Sequence, residues 1–296
     1  MIYLVLSVVS SSLIYVAFKL LGKFNIKTLH AIIFNYITAF LIGFFTHSNA
    51  LQWGTIYQKE WFLGSLLLGF LFIVVFNLMA ATTQQLGMSV VSVASKMSVA
   101  IPVIFVIWYY QEPLGVYKVI GIIMALVAVF LVSLKKKTTV KLGLFALLLP
   151  FLVFFGSGII ETSIKFIEQD YVSDSDIGNF SLVIFFFAAC FGLIFWMLKA
   201  VKEKSASSIQ LKEIIGGIAL GIPNFYSIYF FISALKSEVF PSSMLFVINN
   251  VNIVVLSTLI GIVFFKEKLT SKNWVGIAVA VSSIALIYFT SDIGLN

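Results

Sequence analysis

Ser92–Leu134 reads SVASKMSVAIPVIFVIWYYQEPLGVYKVIGIIMALVAVFLVSL. It sets one charged side chain, Lys96, inside an apolar run from Met88 to Tyr110, and a second apolar run follows after a short polar turn. A lysine near the centre of a membrane helix costs about 3 kcal/mol, so something must compensate it. The same pattern returns near the C-terminus. Gln111-Glu112-Pro113-Leu114 with Val119-Ile120-Gly121-Ile122 aligns with Lys266-Glu267-Lys268-Leu269 and Trp274-Val275-Gly276-Ile277. Glutamate, leucine and glycine fall in register, the signature of an internal duplication.

Working outward, the 296 residues are 61% hydrophobic and only 10% charged, with a mean hydropathy of +1.10. Soluble chains average about 45–50% apolar and about 25% charged, so this composition is that of an integral membrane protein. Phe is abundant, and Trp53, Trp61, Trp108, Tyr109, Tyr110 and Trp274 suit interfacial anchoring. All 19 basic residues are lysines, the source of the net charge of +7. They lie mostly in loops, where they read as topology signals, and no basic face suited to nucleic acid stands out. The single Cys190 excludes an internal disulfide. The first apolar run of about 20 residues exceeds a signal-peptide core and reads as an uncleaved first span.

A span needs about 20 apolar residues. That ruler gives ten helices, near 2–21, 29–47, 61–82, 88–110, 115–134, 142–164, 177–198, 212–235, 240–265 and 273–290. No ten-residue alternation suggests a β-barrel. Connections are short, with abrupt turns expected at Gln84-Gln85-Leu86-Gly87, Gln111-Glu112-Pro113 and Glu238-Val239-Phe240-Pro241, and the longest is the polar Val201–Leu211. The predicted fold is an all-α membrane protein of two inverted five-helix repeats, residues 1–137 and 138–296, because an odd number of spans inserts the second repeat upside down. Further echoes align Ser12, Tyr15 and Lys19 with Gly158, Glu161 and Lys165, and Met79-Ala80-Ala81 with Ser233-Ala234-Leu235. In the latter register Lys96 falls opposite Asn250, within one residue.

These paired turns, Glu112-Pro113-Leu114 and Glu267-Lys268-Leu269, each opening a span with Gly121 or Gly276, together with the five-plus-five span count, resemble the ten-span EamA-type branch of the drug/metabolite transporter superfamily. The resemblance implies a helical carrier of small metabolites, often an exporter, with a cavity between the halves. It carries no fixed binding residues onto this chain.

Candidate site residues come from the polar groups inside spans. Lys96, with Ser92 one turn before and Pro102 beyond, reads either as a receptor for a substrate carboxylate or phosphate, or as a structural lysine tied to carbonyls or to Glu161. Glu161, flanked by Ser157 and Lys165 on one face, reads as a coupling or ammonium-binding carboxylate, or as an i,i+4 partner of Lys165. Asn249, Asn250 and Asn252 crowd one span, where amides bind substrate or link helices. Gly217 and Gly221 form a GxxxG packing face beside Pro223, which puts Asn224 and Tyr229 on an interrupted helix. Asn77, Asn35, Thr38 and Tyr15 are secondary candidates. Glu112 and Glu267 read as carboxylates at helix starts.

The function expected is secondary transport, as an exporter, of a small polar metabolite such as an amino acid or related zwitterion, by alternating access in a bacterial inner membrane. No nucleotide loop, metal cluster or catalytic triad is visible, so neither cofactor nor metal is expected. The expected partners are a small-molecule substrate and the bilayer, with a homodimer also open. Two alternatives stand beside the carrier: a non-transporting membrane partner subunit, and a lipid-processing enzyme built on Lys96 and Glu161.

Lys23, Lys27, Lys135, Lys136, Lys137, Lys141, Lys199, Lys202, Lys204, Lys212, Lys266, Lys268 and Lys272 share one side, against Lys59, Lys118, Lys165 and Lys236 on the side of both termini. Positive-inside counting therefore puts both termini outside, whereas the family resemblance implies a cytoplasmic location. A reporter that matures only in the cytoplasm, fused after Asn296, is expected to stay inactive under the lysine count; an active fusion reverses the orientation.

Overall fold

The computed structural model describes residues 1–47, 56–86, 94–112, 115–133, 144–203, 209–237, 239–265 and 270–292. Hydrocarbon offers no water to backbone polar groups, so apolar segments of this length close their hydrogen bonds internally as helices. Among the described residues ten helices of ten residues or more appear: α1 (Ile2–Lys23), α2 (Thr28–His47), α3 (Phe62–Leu86), α4 (Ala100–Tyr109), α5 (Val116–Ser133), α6 (Leu144–Tyr171), α7 (Ile177–Glu203), α8 (Leu211–Lys236), α9 (Ser242–Phe265) and α10 (Ser271–Asp292). No strand occurs among the described residues. Seven helices are long and apolar enough to cross a membrane, and Ala94–Tyr109, Val119–Ala128 and Trp274–Ser283 are shorter apolar segments. Gly87, Ser92, Pro113, Leu114, Glu238, Glu267 and lysines 135–137, 141, 204, 266 and 268 lie outside the described residues, as does Trp53.

The ten expected spans correspond to these ten helices, although α4 starts at Ala100 rather than 88 and α3 runs to Leu86 rather than 82, and α6 and α7 are extended further. Helix α6 runs seven residues past the expected end at 164, to Tyr171, and α7 runs to Glu203 rather than 198. Lys165, expected near a membrane edge, therefore lies inside a helix. Hydropathy falls at the first charges, but Lys165 bonds Glu168 at 3.1 Å and Gln169 at 2.6 Å within that helix, so the backbone continues. Trp61 also differs from expectation. It is not an interfacial anchor but is 1% exposed, its indole against Phe180 and its Nε1–H donating to Asp176 at 3.4 Å. Trp108, Tyr109 and Trp274 are exposed, as anchors should be.

The chain forms two compact units. The first takes Met1–Ala80 and Ser163–Lys236, the second Ala81–Thr162 and Ser237–Asn296, so each draws helices from both sequence halves. The first unit packs α2 on α7 and α8, and α1 on α8. Its centre is aromatic: Tyr36 is fully buried among Phe72, Phe76 and Phe185, its hydroxyl donating to the Phe72 carbonyl at 3.1 Å. Gly217 and Gly221 bring α8 onto α2 with no side chain between. A Cβ at Gly221 would stand 2.6 Å from the Asn35 carbonyl oxygen and from Thr38 Cβ. The expected GxxxG packing face is thus the α2–α8 seam.

The second unit packs α5 on α10 and α4 on α9. Ser283 on α10 donates to the Gly121 carbonyl of α5 at 2.8 Å. These are the pairs that the repeat register matches. The end of α4 meets the start of α9, since Glu112 accepts from the backbone N–H groups of Ser242 at 2.8 Å and Ser243 at 3.2 Å. The two helices therefore run antiparallel, as upside-down repeats require.

The α2–α8 seam gives a test. Gly221→Ala forces a methyl against backbone and is expected to cost about 1–3 kcal/mol, read as a fall of several degrees in the thermal unfolding of purified protein, whereas Gly22→Ala, with nothing near its Cβ, leaves the midpoint unchanged.

Candidate functional site

Three helices of the second unit converge on one polar cluster. The first is the segment before α4. Residues 94–97 are helical, Ser98 and Val99 form a turn, and α4 then resumes. Pro102 explains the break: it has no N–H for the Ser98 carbonyl and its ring would collide with it, so the carbonyl instead accepts from Ile101 at 2.9 Å. The interruption sits one turn past Lys96, which is 8% exposed.

The second contributor is α9. Lys96 Nζ donates to Asn250 Oδ1 at 3.1 Å, and Asn250 Nδ2 donates to the Phe246 carbonyl at 3.1 Å. The register that aligned Lys96 with Asn250 thus aligned two side chains that touch.

The third is α6. A Cβ at Gly158 would collide with the side chain of Ile101, so the glycine lets α4 lie directly on α6. Three residues on, the Glu161 carboxylate bonds the Asn250 amide and lies within reach of the Lys96 charge. The i,i+4 partnership with Lys165 gives way to this arrangement: the cation next to Glu161 is Lys96, while Lys165 turns to Glu168 and Gln169. One lysine, one glutamate and one amide from three helices form a near-neutral buried set. A lone buried charge costs several kcal/mol, which the paired arrangement largely offsets.

The remaining expected residues separate. Asn249 is buried on α9, its Oδ1 accepting no hydrogen bond among the described residues. Asn252 is back-bonded to Ile248. Asn224, Tyr229 and Asn77 belong to the first unit. There Asn224 Nδ2 donates to Asn35 Oδ1 at 3.0 Å, a cross-link of the α2–α8 seam. Asn77 donates to the Ile73 carbonyl at 2.7 Å in its own helix. The Tyr229 ring stacks on Phe225 at 6.0 Å.

Two buried charge clusters escaped the sequence reading. Glu213 is fully buried; its Oε2 accepts from the backbone N–H of Gln210 at 3.0 Å and bonds His30 Nδ1 at 2.6 Å. A glutamate three residues after the helix start is a capping signal, but its histidine partner lies 183 residues earlier. Glu168 is held by Lys165 and by Lys236 at 3.7 Å. The Lys165–Glu168 spacing of three was visible; its burial was not. Glu112 was expected at a helix start, and it is at one, but the helix it caps is the distant α9 rather than the following α5.

An all-helical chain with these apolar lengths and an intramembrane lysine–glutamate pair has the make-up of a multi-pass membrane transporter. Residues 1–134 match the EamA-like transporter family. A protein of Haemophilus influenzae, described only as uncharacterized, is 30% identical over 295 residues, covering 98% of each chain. A solved crystal structure aligns over 97% of this chain and 96% of its own with a TM-score of 0.73 at 14% identity, a likeness of fold. Through residues 1–134 the chain belongs to the EamA-like transporter family.

The pairing of Lys96 with Glu161 can be measured. Lys96→Met leaves the Glu161 carboxylate without its cation and is expected to lower stability by about 3–5 kcal/mol. Adding Glu161→Gln removes the stranded charge, so the double variant should be more stable than Lys96→Met alone. Unfolding midpoints of the four proteins in one detergent check this coupling, and strictly additive losses would refute it.

Proposed function

We infer that this family member is a secondary transporter that exports a small polar metabolite across a bacterial inner membrane by alternating access, with an amino acid or related zwitterion as substrate. The observation that carries this reading is the convergence of Lys96, Glu161 and Asn250 beside an interrupted helix. Transporters place their sites at such interruptions, and ionisable groups inside spans line pathways or relays.

Charge arithmetic narrows the substrate. A lysine and a glutamate already neutralise each other, so an added anion or cation would leave one uncompensated charge in a low-dielectric site. A molecule carrying both charges leaves the sum unchanged. Glu161 then has two roles in sequence, balancing Lys96 when the site is empty and holding the substrate's cationic group when it is full.

Purified protein in liposomes, given a labelled amino-acid pool, is expected to show saturable flux that falls at least tenfold in Lys96→Met and in Glu161→Gln. Absence of saturable flux from the wild type would favour a partner subunit, and product formation in detergent without a gradient would favour a lipid-processing enzyme.

A further inference from the structure

The polar groups around Lys96 are unequally matched. The donors have acceptors: Lys96 Nζ on Asn250 Oδ1, and Asn250 Nδ2 on the Phe246 carbonyl. The acceptors are in surplus. Glu161 Oε2 and Asn249 Oδ1 are both sealed from solvent, and neither receives a hydrogen bond from any described residue. Asn249 is the neighbour of Asn250 along α9. A buried acceptor left without a donor is costly, and a carboxylate oxygen more so than an amide oxygen. Whatever relieves both oxygens must bring N–H or O–H groups, and a carboxylate favours those on a cation.

We propose that the site recognises its substrate first through a primary ammonium group, whose N–H bonds go to Glu161 Oε2 and Asn249 Oδ1, and not through Lys96 gripping the substrate's carboxylate. Lys96 is a positioning residue here: its bond to Asn250 orients α9. This rests on the transporter reading of the same site and sharpens it to a requirement for N–H donors. Charge alone does not satisfy the two oxygens. A quaternary ammonium carries the same charge with no N–H, and so must be refused.

Three probes on one carbon skeleton separate these contributions: 2-aminobutyrate, its N,N,N-trimethyl betaine, and butyrate. Their affinities are read from the shift in thermal unfolding of detergent-solubilised protein, with Glu161→Gln and Asn249→Ala alongside. The expected result is that 2-aminobutyrate binds at least tenfold more tightly than the betaine, that butyrate binds no better than the betaine, and that the preference disappears in Glu161→Gln and shrinks in Asn249→Ala. Equal binding of 2-aminobutyrate and betaine, binding of butyrate that Lys96→Met abolishes, or no shift with 2-aminobutyrate each overturns the proposal. Binding needs no gradient, so a donor-dependent shift without flux in liposomes would refute transport and leave the ammonium site standing. Flux with no preference for N–H donors would do the reverse.

Discussion

A positive charge without water is the constraint from which the second unit is built. Lys96 lies in a stretch where solvation must come from protein, and the chain supplies it from α9 through Asn250 and from α6 through Glu161. Each partner needs its own support. Gly158 removes the side chain that would hold α6 away from α4, and Pro102 breaks the helix next to the lysine. At the far end of α4, Gln111 takes a left-handed backbone conformation, φ 53°, and the following Glu112 reaches the start of α9. A carboxylate there takes up N–H groups that a helix start leaves unpaired and faces the positive end of its dipole. Antiparallel α4 and α9 are thus tied both at Lys96 and at Glu112.

The first unit solves a different problem by different means. Among the described residues its centre holds no charge comparable to Lys96; it has close contact. Gly217 and Gly221 admit α2, and the Asn224–Asn35 bond secures the same seam one turn on. In lipid, where burial of apolar surface does not drive helices together, close packing and short polar ties take over that work. The charged pairs His30–Glu213 and Lys165–Glu168 sit near helix ends.

How much of this could be read from the sequence follows from the range of each interaction. Span count came from hydropathy, a sum over neighbours along the chain, so all ten helices were legible. Their ends were less so, because Lys165 and Glu168 satisfy each other inside α6 and make charge a poor stop signal. The Lys96–Asn250 contact was legible only because duplication links positions 154 apart. No such echo connects His30 with Glu213, or Asn224 with Asn35, and those partnerships stayed hidden. Trp61 misled for a related reason: its indole N–H finds Asp176, a residue far along the chain, and so has no need of the lipid headgroups.

Because each unit is assembled from both halves of the sequence, synthesis meets an awkward interval. When Lys96 emerges, neither Glu161 nor Asn250 yet exists. At about 5–20 residues per second, the 154 residues separating Lys96 from Asn250 take roughly 8–30 s to make. For that time the newborn lysine must be tolerated by water at the membrane edge, by lipid headgroups or by the insertion machinery. The first five helices can be threaded into the bilayer in order, but neither unit can close before its helices from the second half have been made.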